Sequence, residues 1–161
     1  MSTSESNLPL TEEQANSLLV EAESSFESGL MDAAIKLYRE CSRMFTRLAS
    51  MAEKRVRMFL FLAKASYCDF MKAYCEAKKL RDAIDNVLVK GGEVNSEEIS
   101  KLKVLTRLAE KCLRETVKRL ERLRNLAHED SSVIEDMSDV LSMISKKVED
   151  FLDFRDDVEH L

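Results

Sequence analysis

Only three glycines (Gly29, Gly91, Gly92) and one proline (Pro9) punctuate a chain of 161 residues. A β-rich fold of this size needs a tight turn roughly every 8–12 residues, and turns draw on glycine and proline for backbone geometries that other residues resist. Four breakers cannot supply them. Apolar residues recur instead at helical spacing, and charged residues make up 34% of the chain, so the fold class is all-α. The spacing of the breakers predicts five or six helices, with a short N-terminal antiparallel hairpin packed on a longer helical bundle. The length suits one domain with a real hydrophobic core.

Helix boundaries follow from capping chemistry. Residues 1–10 read as a flexible polar leader, and residues 11–161 as a single helical domain. Thr11 and Gln14 stand at capping-box spacing, with Leu10 placed to staple against Ala15. The first helix then runs to about Glu27 and the second starts near Asp32. Ser50-Met51-Ala52-Glu53 repeats the capping-box spacing, which predicts a break and a new helix after it. From there to Lys90 nothing forces a stop, and either one very long helix or two helices joined by a turn near Asp69–Lys72 fits the sequence. Gly91-Gly92 ends that element, Asn95 caps a helix over about 96–127, and Asp130-Ser131-Ser132 opens the last one. Its inward stripe is predicted as Ile134, Met137, Leu141, Ile144, Val148 and Phe151.

Charge separates the last two helices. Residues 101–124 carry nine basic and three acidic side chains, net +6, whereas 129–161 carry three basic and eleven acidic, net −8. Antiparallel neighbours of opposite sign should pair with each other, which makes nucleic-acid binding through 101–124 the less favoured alternative. That segment offers no aromatic ring for base stacking, and the whole chain is at −5.

Several function classes are disfavoured by what the chain lacks. The polar, acidic start MSTSESNLPL is not a secretory signal, and the longest apolar run, Met58 to Ala63, is far short of the ~20 residues a membrane span needs. A cytoplasmic protein without membrane insertion is expected. Cys41, Cys68, Cys75 and Cys112 form no CxxC pair, and Cys68 and Cys75 lie about 10 Å apart along a helix, beyond disulfide reach. With His128 and His160 the only histidines, no metal site and no cofactor is expected.

The stretch Leu18 to Phe45 carries the clearest functional signal. Ala22, Gly29, Ala34 and Tyr38 fall where two closely crossing helices need small residues, a helix stop and an aromatic closing the open end. With Glu21-Ala22, Gly29, the AIKLY of Ala34–Tyr38 and the LAKASY of Leu62–Tyr67, residues 12–72 resemble an MIT domain, the three-helix microtubule-interacting-and-transport module. The same hairpin is similar to a tetratricopeptide repeat, with Ala65, Tyr74 and Ala77 in a second copy at a spacing of 43 rather than the usual ~34. Leu30-Met31 stands where MIT domains usually place an aromatic, and Cys68-Asp69-Phe70 where an arginine-rich segment follows. The resemblance implies capture of short helical or extended protein motifs by an MIT- or TPR-like part over 11–72, with 73–161 forming the C-terminal bundle.

Two candidate sites follow. Met58, Phe61, Leu62 and Ala65 project opposite the main stripe of the third helix, so they predict either a central, sandwiched helix or an apolar groove that binds a partner peptide or helix. Arg124-Asn125-Leu126-Ala127-His128 is similar to the R-N-x-x-x-H motif of HEPN-type all-α ribonucleases, one residue short of its spacing; Arg122 to His128 meets a looser version. There His128 would move the proton and an arginine would hold the scissile phosphate. The favoured expectation is a non-catalytic helical adaptor for a protein or peptide, with self-association possible through coiled-coil-like C-terminal helices.

Overall fold

The computed structural model describes residues 11–161, and the leader expected over 1–10 lies outside them. Five α-helices follow one another, with no strand among the described residues: α1 Glu12–Glu27, α2 Met31–Met51, α3 Arg55–Val89, α4 Ser96–Leu126 and α5 Val133–Glu159. A short 3₁₀ turn, Ala127–Glu129, links the last two.

Most of the local signals act where they were expected; Leu10, expected to staple against Ala15, lies outside the described residues, and Ser132 makes no side-chain cap at the start of α5. Thr11 and Gln14 form the reciprocal capping box, each side chain accepting from the other's backbone N–H at 3.1–3.2 Å. Gly29 (φ +76°) and Gly91 (φ +78°) adopt the left-handed conformation that ends α1 and α3. Asn95 caps α4, accepting from Glu97 N–H at 2.9 Å. The break after α2 does come near Ser50–Glu53, but the capping box does not form. Ser50 is still helical, its hydroxyl donates to the Arg47 carbonyl at 2.7 Å, and the uncapped α3 begins after Lys54.

Helix α3 is unbroken over 35 residues, about 52 Å at 1.5 Å per residue. No turn occurs near Asp69–Lys72, so the 11–72 and 73–161 parts share one helix. Ala65, Tyr74 and Ala77, the second set of tetratricopeptide-like positions, all lie on this one helix. A helix this long persists because its middle is the core. From Ala63 to Ala77 nearly every side chain is buried, with α1 and α2 on one side and α4 and α5 on the other. Ala22 and Ala34 are fully buried, as the close hairpin requires. A smaller apolar cluster (Ala77, Ile84, Leu102, Val158) closes the far end of the bundle.

Helix α5 is rotated from its predicted face. Val133, Val140, Ile144, Lys147, Phe151 and Val158 point inward, while Ile134 and Leu141 are about half exposed. Phe151 sets this rotation by meeting Phe70 and Tyr74 edge-on, both at 5.1 Å between ring centroids.

The expected charge pairing between α4 and α5 does not occur. Among the described residues no basic side chain of α4 bridges an acidic side chain of α5; their one ion pair, Arg155–Glu110 at 3.2 Å, runs the other way. The basic residues of α4 instead pair along their own helix, as Arg114–Glu110 and Arg119–Glu115 do, or reach groups outside the acidic face of α5, as Arg122 over Phe59 and Lys103 on the Leu161 carbonyl do. The inner faces of both helices are taken by apolar packing.

A candidate recognition cleft between the first and last helices

Glu23 on α1 is the centre of a network that joins four helices. Its carboxylate accepts from Tyr67 Oη on α3 at 2.8 Å, from Lys147 Nζ on α5 at 3.1 Å, and from the hydroxyl of Tyr38 on α2. Lys147 also donates to Tyr67 Oη at 3.3 Å and lies over the Phe26 ring. Its side chain is only 5% exposed, against 16% for Glu23. Beside it, the buried Lys64 ammonium donates to Asn16 Oδ1 at 2.9 Å, and burial holds its pKa below the ordinary lysine range.

Above this network α1 and α5 run side by side without closing. A cleft of about 440 Å³ lies between them, lined from α1 by Asn16, Leu19, Val20, Glu23 and Glu27. The α5 wall supplies Asp136, Asp139, Ser142, Met143, Lys146 and Lys147, with Lys64 of α3 beneath. Lining residues recur every three or four positions on both walls, so the cleft follows the helix axes. It continues past Glu27 and Lys147 into a second hollow of about 620 Å³ beside Phe26, Gly29, Tyr74 and Lys78. Val20 stands on the rim, 69% exposed, the kind of apolar side chain a partner can cover.

Burial also sets the titration of the core. The Cys75 thiol and the Tyr74 hydroxyl are pushed up to about 12, and Cys68, Tyr38 and Tyr67 are held well above their ordinary values, in every case chiefly by desolvation. The folded state keeps protons that the unfolded chain releases. Stability from these groups is therefore intact below their ordinary values of 9.0 and 10.0 and is lost as pH climbs through and above them. Each group should cost about 1.4 kcal/mol per pH unit in that window. Lys64 works in the opposite sense, since a depressed lysine is relieved by rising pH, but it is one group against five. The urea midpoint should be level from about pH 6 to 8 and fall by more than half by about pH 11. A flat midpoint to pH 11 would contradict the burial of these groups.

The residues singled out from sequence sit elsewhere. Phe61 and Ala65 are buried, and Phe61 stacks on Phe45 of α2 at 6.4 Å. Met58 and Leu62 are half-buried against the core, and Arg119 of α4 donates to the Leu62 carbonyl at 2.9 Å. The expected groove at these four residues is thus closed by the protein's own α2 and α4; this stretch of α3 is the sandwiched helix. Arg122 stacks over Phe59 at 4.8 Å, while Arg124 lines an apolar crevice with Val117, Met137, Leu141 and Ile144. His128 is exposed in the 3₁₀ turn and does not line that crevice. The two arginines therefore serve different surroundings. No group of acidic, histidine or cysteine side chains suited to a metal occurs among the described residues, and no described helix is long and apolar enough to cross a membrane.

Glu23 and Lys147 escaped the sequence reading because they are 124 residues apart. One local signal was present: Lys147 lies three residues after Ile144 and four before Phe151, in phase with the buried face. No family model, curated protein or solved structure matches this chain. What fold and cleft define is a helical bundle with an open interhelical seam.

Proposed function

We propose that the protein is a non-catalytic helical adaptor that binds a segment of a partner protein in the α1–α5 cleft. The observation that supports this most is the unfilled seam itself, apolar at Leu19 and Met143, with Val20 exposed at its edge. The resemblance of the first three helices to MIT and tetratricopeptide modules agrees with such a role. Arg122 is engaged on Phe59 and Arg124 beside an apolar crevice, which disfavours the ribonuclease alternative. The cytoplasm is the compartment we assign, since three of the four free cysteines are buried as apolar fillers and suit a reducing environment.

Self-association through α4 and α5 is the second reading, supported by the exposed apolar side chains Val117, Ile134 and Leu141. Nucleic-acid binding remains less favoured, because the solvent-facing basic residues of α4 have no aromatic neighbour on that helix.

Affinity capture with the full chain, compared with Val20→Gln, tests the proposal. Because Val20 is exposed, the variant should melt within about 1 °C of the parent yet lose the specifically captured partner by at least about fivefold. Capture unaffected by Val20→Gln would remove the cleft as the recognition surface.

A further inference from the structure

We infer that the occupant of the α1–α5 cleft is a cationic amphipathic helix of a partner protein, an inference that rests on the recognition function proposed above. The two helices that form the walls are both acidic overall. Helix α1 has five acidic and no basic side chains, and α5 has nine acidic and three basic, net −6. The lysines within the seam do not offset this evenly. Lys147 is neutralised by Glu23, Lys64 is buried on Asn16, and Lys78 lies over the rings of Phe26 and Tyr74. That leaves Lys146 exposed against the exposed carboxylates Glu27, Asp139 and Asp150, with the half-buried Asp136 already near Arg57 at 3.9 Å.

The rim carboxylates Glu27, Asp139 and Asp150, set beside the apolar side chains Leu19, Val20 and Met143, focus a negative potential into the space between the two helices. An acidic segment would be repelled, and a purely apolar one would leave the rim carboxylates without counter-charges. A helix with lysine or arginine flanking a short apolar stripe satisfies both surfaces. The dimensions agree: Asn16 to Glu27 spans about 16 Å, some three helical turns, and lining residues three and four apart match the helix-in-groove mode. A competing occupant is α4 of a second copy, which is itself basic.

Fluorescence anisotropy with the full chain and two labelled 14-residue helical peptides decides the matter, one of leucine, lysine and alanine, the other with every lysine replaced by glutamate. The lysine peptide should bind at least about tenfold more tightly, and weaken as salt rises. The double variant Glu27→Lys/Asp139→Lys should weaken it at least about tenfold, while Glu135→Lys/Glu149→Lys, the same charge change on the outer face of α5, should change it less than about threefold. Equal loss in both double variants means a diffuse field and overturns the inference. Equal binding of both peptides, blocked by Val20→Gln, also overturns it but leaves the recognition function standing. Absence of binding by either peptide, together with partner capture insensitive to Val20→Gln, would defeat both. Sedimentation of the protein alone covers the competing occupant: self-association abolished by Glu27→Lys/Asp139→Lys would assign the cleft to a second copy and overturn the partner proposed here.

Discussion

Replacing Glu23 with alanine is expected to destabilise the protein by about 3–5 kcal/mol, because it strands a buried ammonium and removes the acceptor of two buried tyrosine hydroxyls at once. The two ends of the ion pair should not be equivalent. Lys147 is the more deeply buried partner, so an unpaired Lys147 costs more than an unpaired Glu23, whose carboxylate reaches water more readily. Lys147→Met should therefore lose less than Glu23→Ala. Glu23→Gln keeps an acceptor for the tyrosines while leaving the ammonium without its counter-charge, and should fall between the parent and Glu23→Ala. The double variant Glu23→Leu/Lys147→Met should recover much of the loss, as apolar replacements of buried ion pairs often do. Urea denaturation of the parent and the four variants provides the check. A loss under about 1 kcal/mol for Glu23→Ala would show that α1 and α5 are not coupled through this network.

Phe151→Ala should be nearly as damaging, at about 3–5 kcal/mol, since it empties a fully buried position and removes two edge-on aromatic contacts. Its effect should be directional. Helix α5 docks on α3 largely through this aromatic cluster, with Phe154 meeting Tyr74 at 5.5 Å beside it. Hydrogen exchange should therefore rise across residues 133–159 well before it rises in the middle of α3. Uniform loss of protection over all five helices would mean instead that α5 is not a separable layer.

The two substitutions also bear on the cleft. Its floor is the Glu23 network and its α5 wall is held in place by Phe151, so either change should alter the cleft as well as stability. Val20→Gln and the rim charge reversals touch exposed side chains only, which is why binding is better read from them.

The scarcity of glycine and proline was enough to establish an all-α chain, and local chemistry placed most of the helix ends. Thr11 with Gln14, Gly29, Gly91 and Asn95 act through atoms within a few residues of themselves, so their effect can be read without knowing the fold. The small residues Ala22 and Ala34 likewise announced a close hairpin. Ser50–Glu53 misled because the capping-box spacing occurs inside a helix that tertiary packing prolongs to Met51.

What the tertiary structure decided was which faces meet. Met58, Phe61, Leu62 and Ala65 make α3 apolar on a second side, a pattern that fits either a groove or a sandwiched helix; only the positions of α2 and α4 choose between them. The rotation of α5 follows from Phe151 seating against Phe70 and Tyr74, and it brings Lys147 inward while turning Leu141 out. The charge segregation of the last two helices was plain in the sequence, yet the partner of Lys147 is Glu23, at the opposite end of the chain. Periodicity reports a helix's own amphipathic phase. The contacts that hold Lys147 are made with Tyr67, 80 positions away, and Glu23, 124 positions away, and no local pattern encodes those partners.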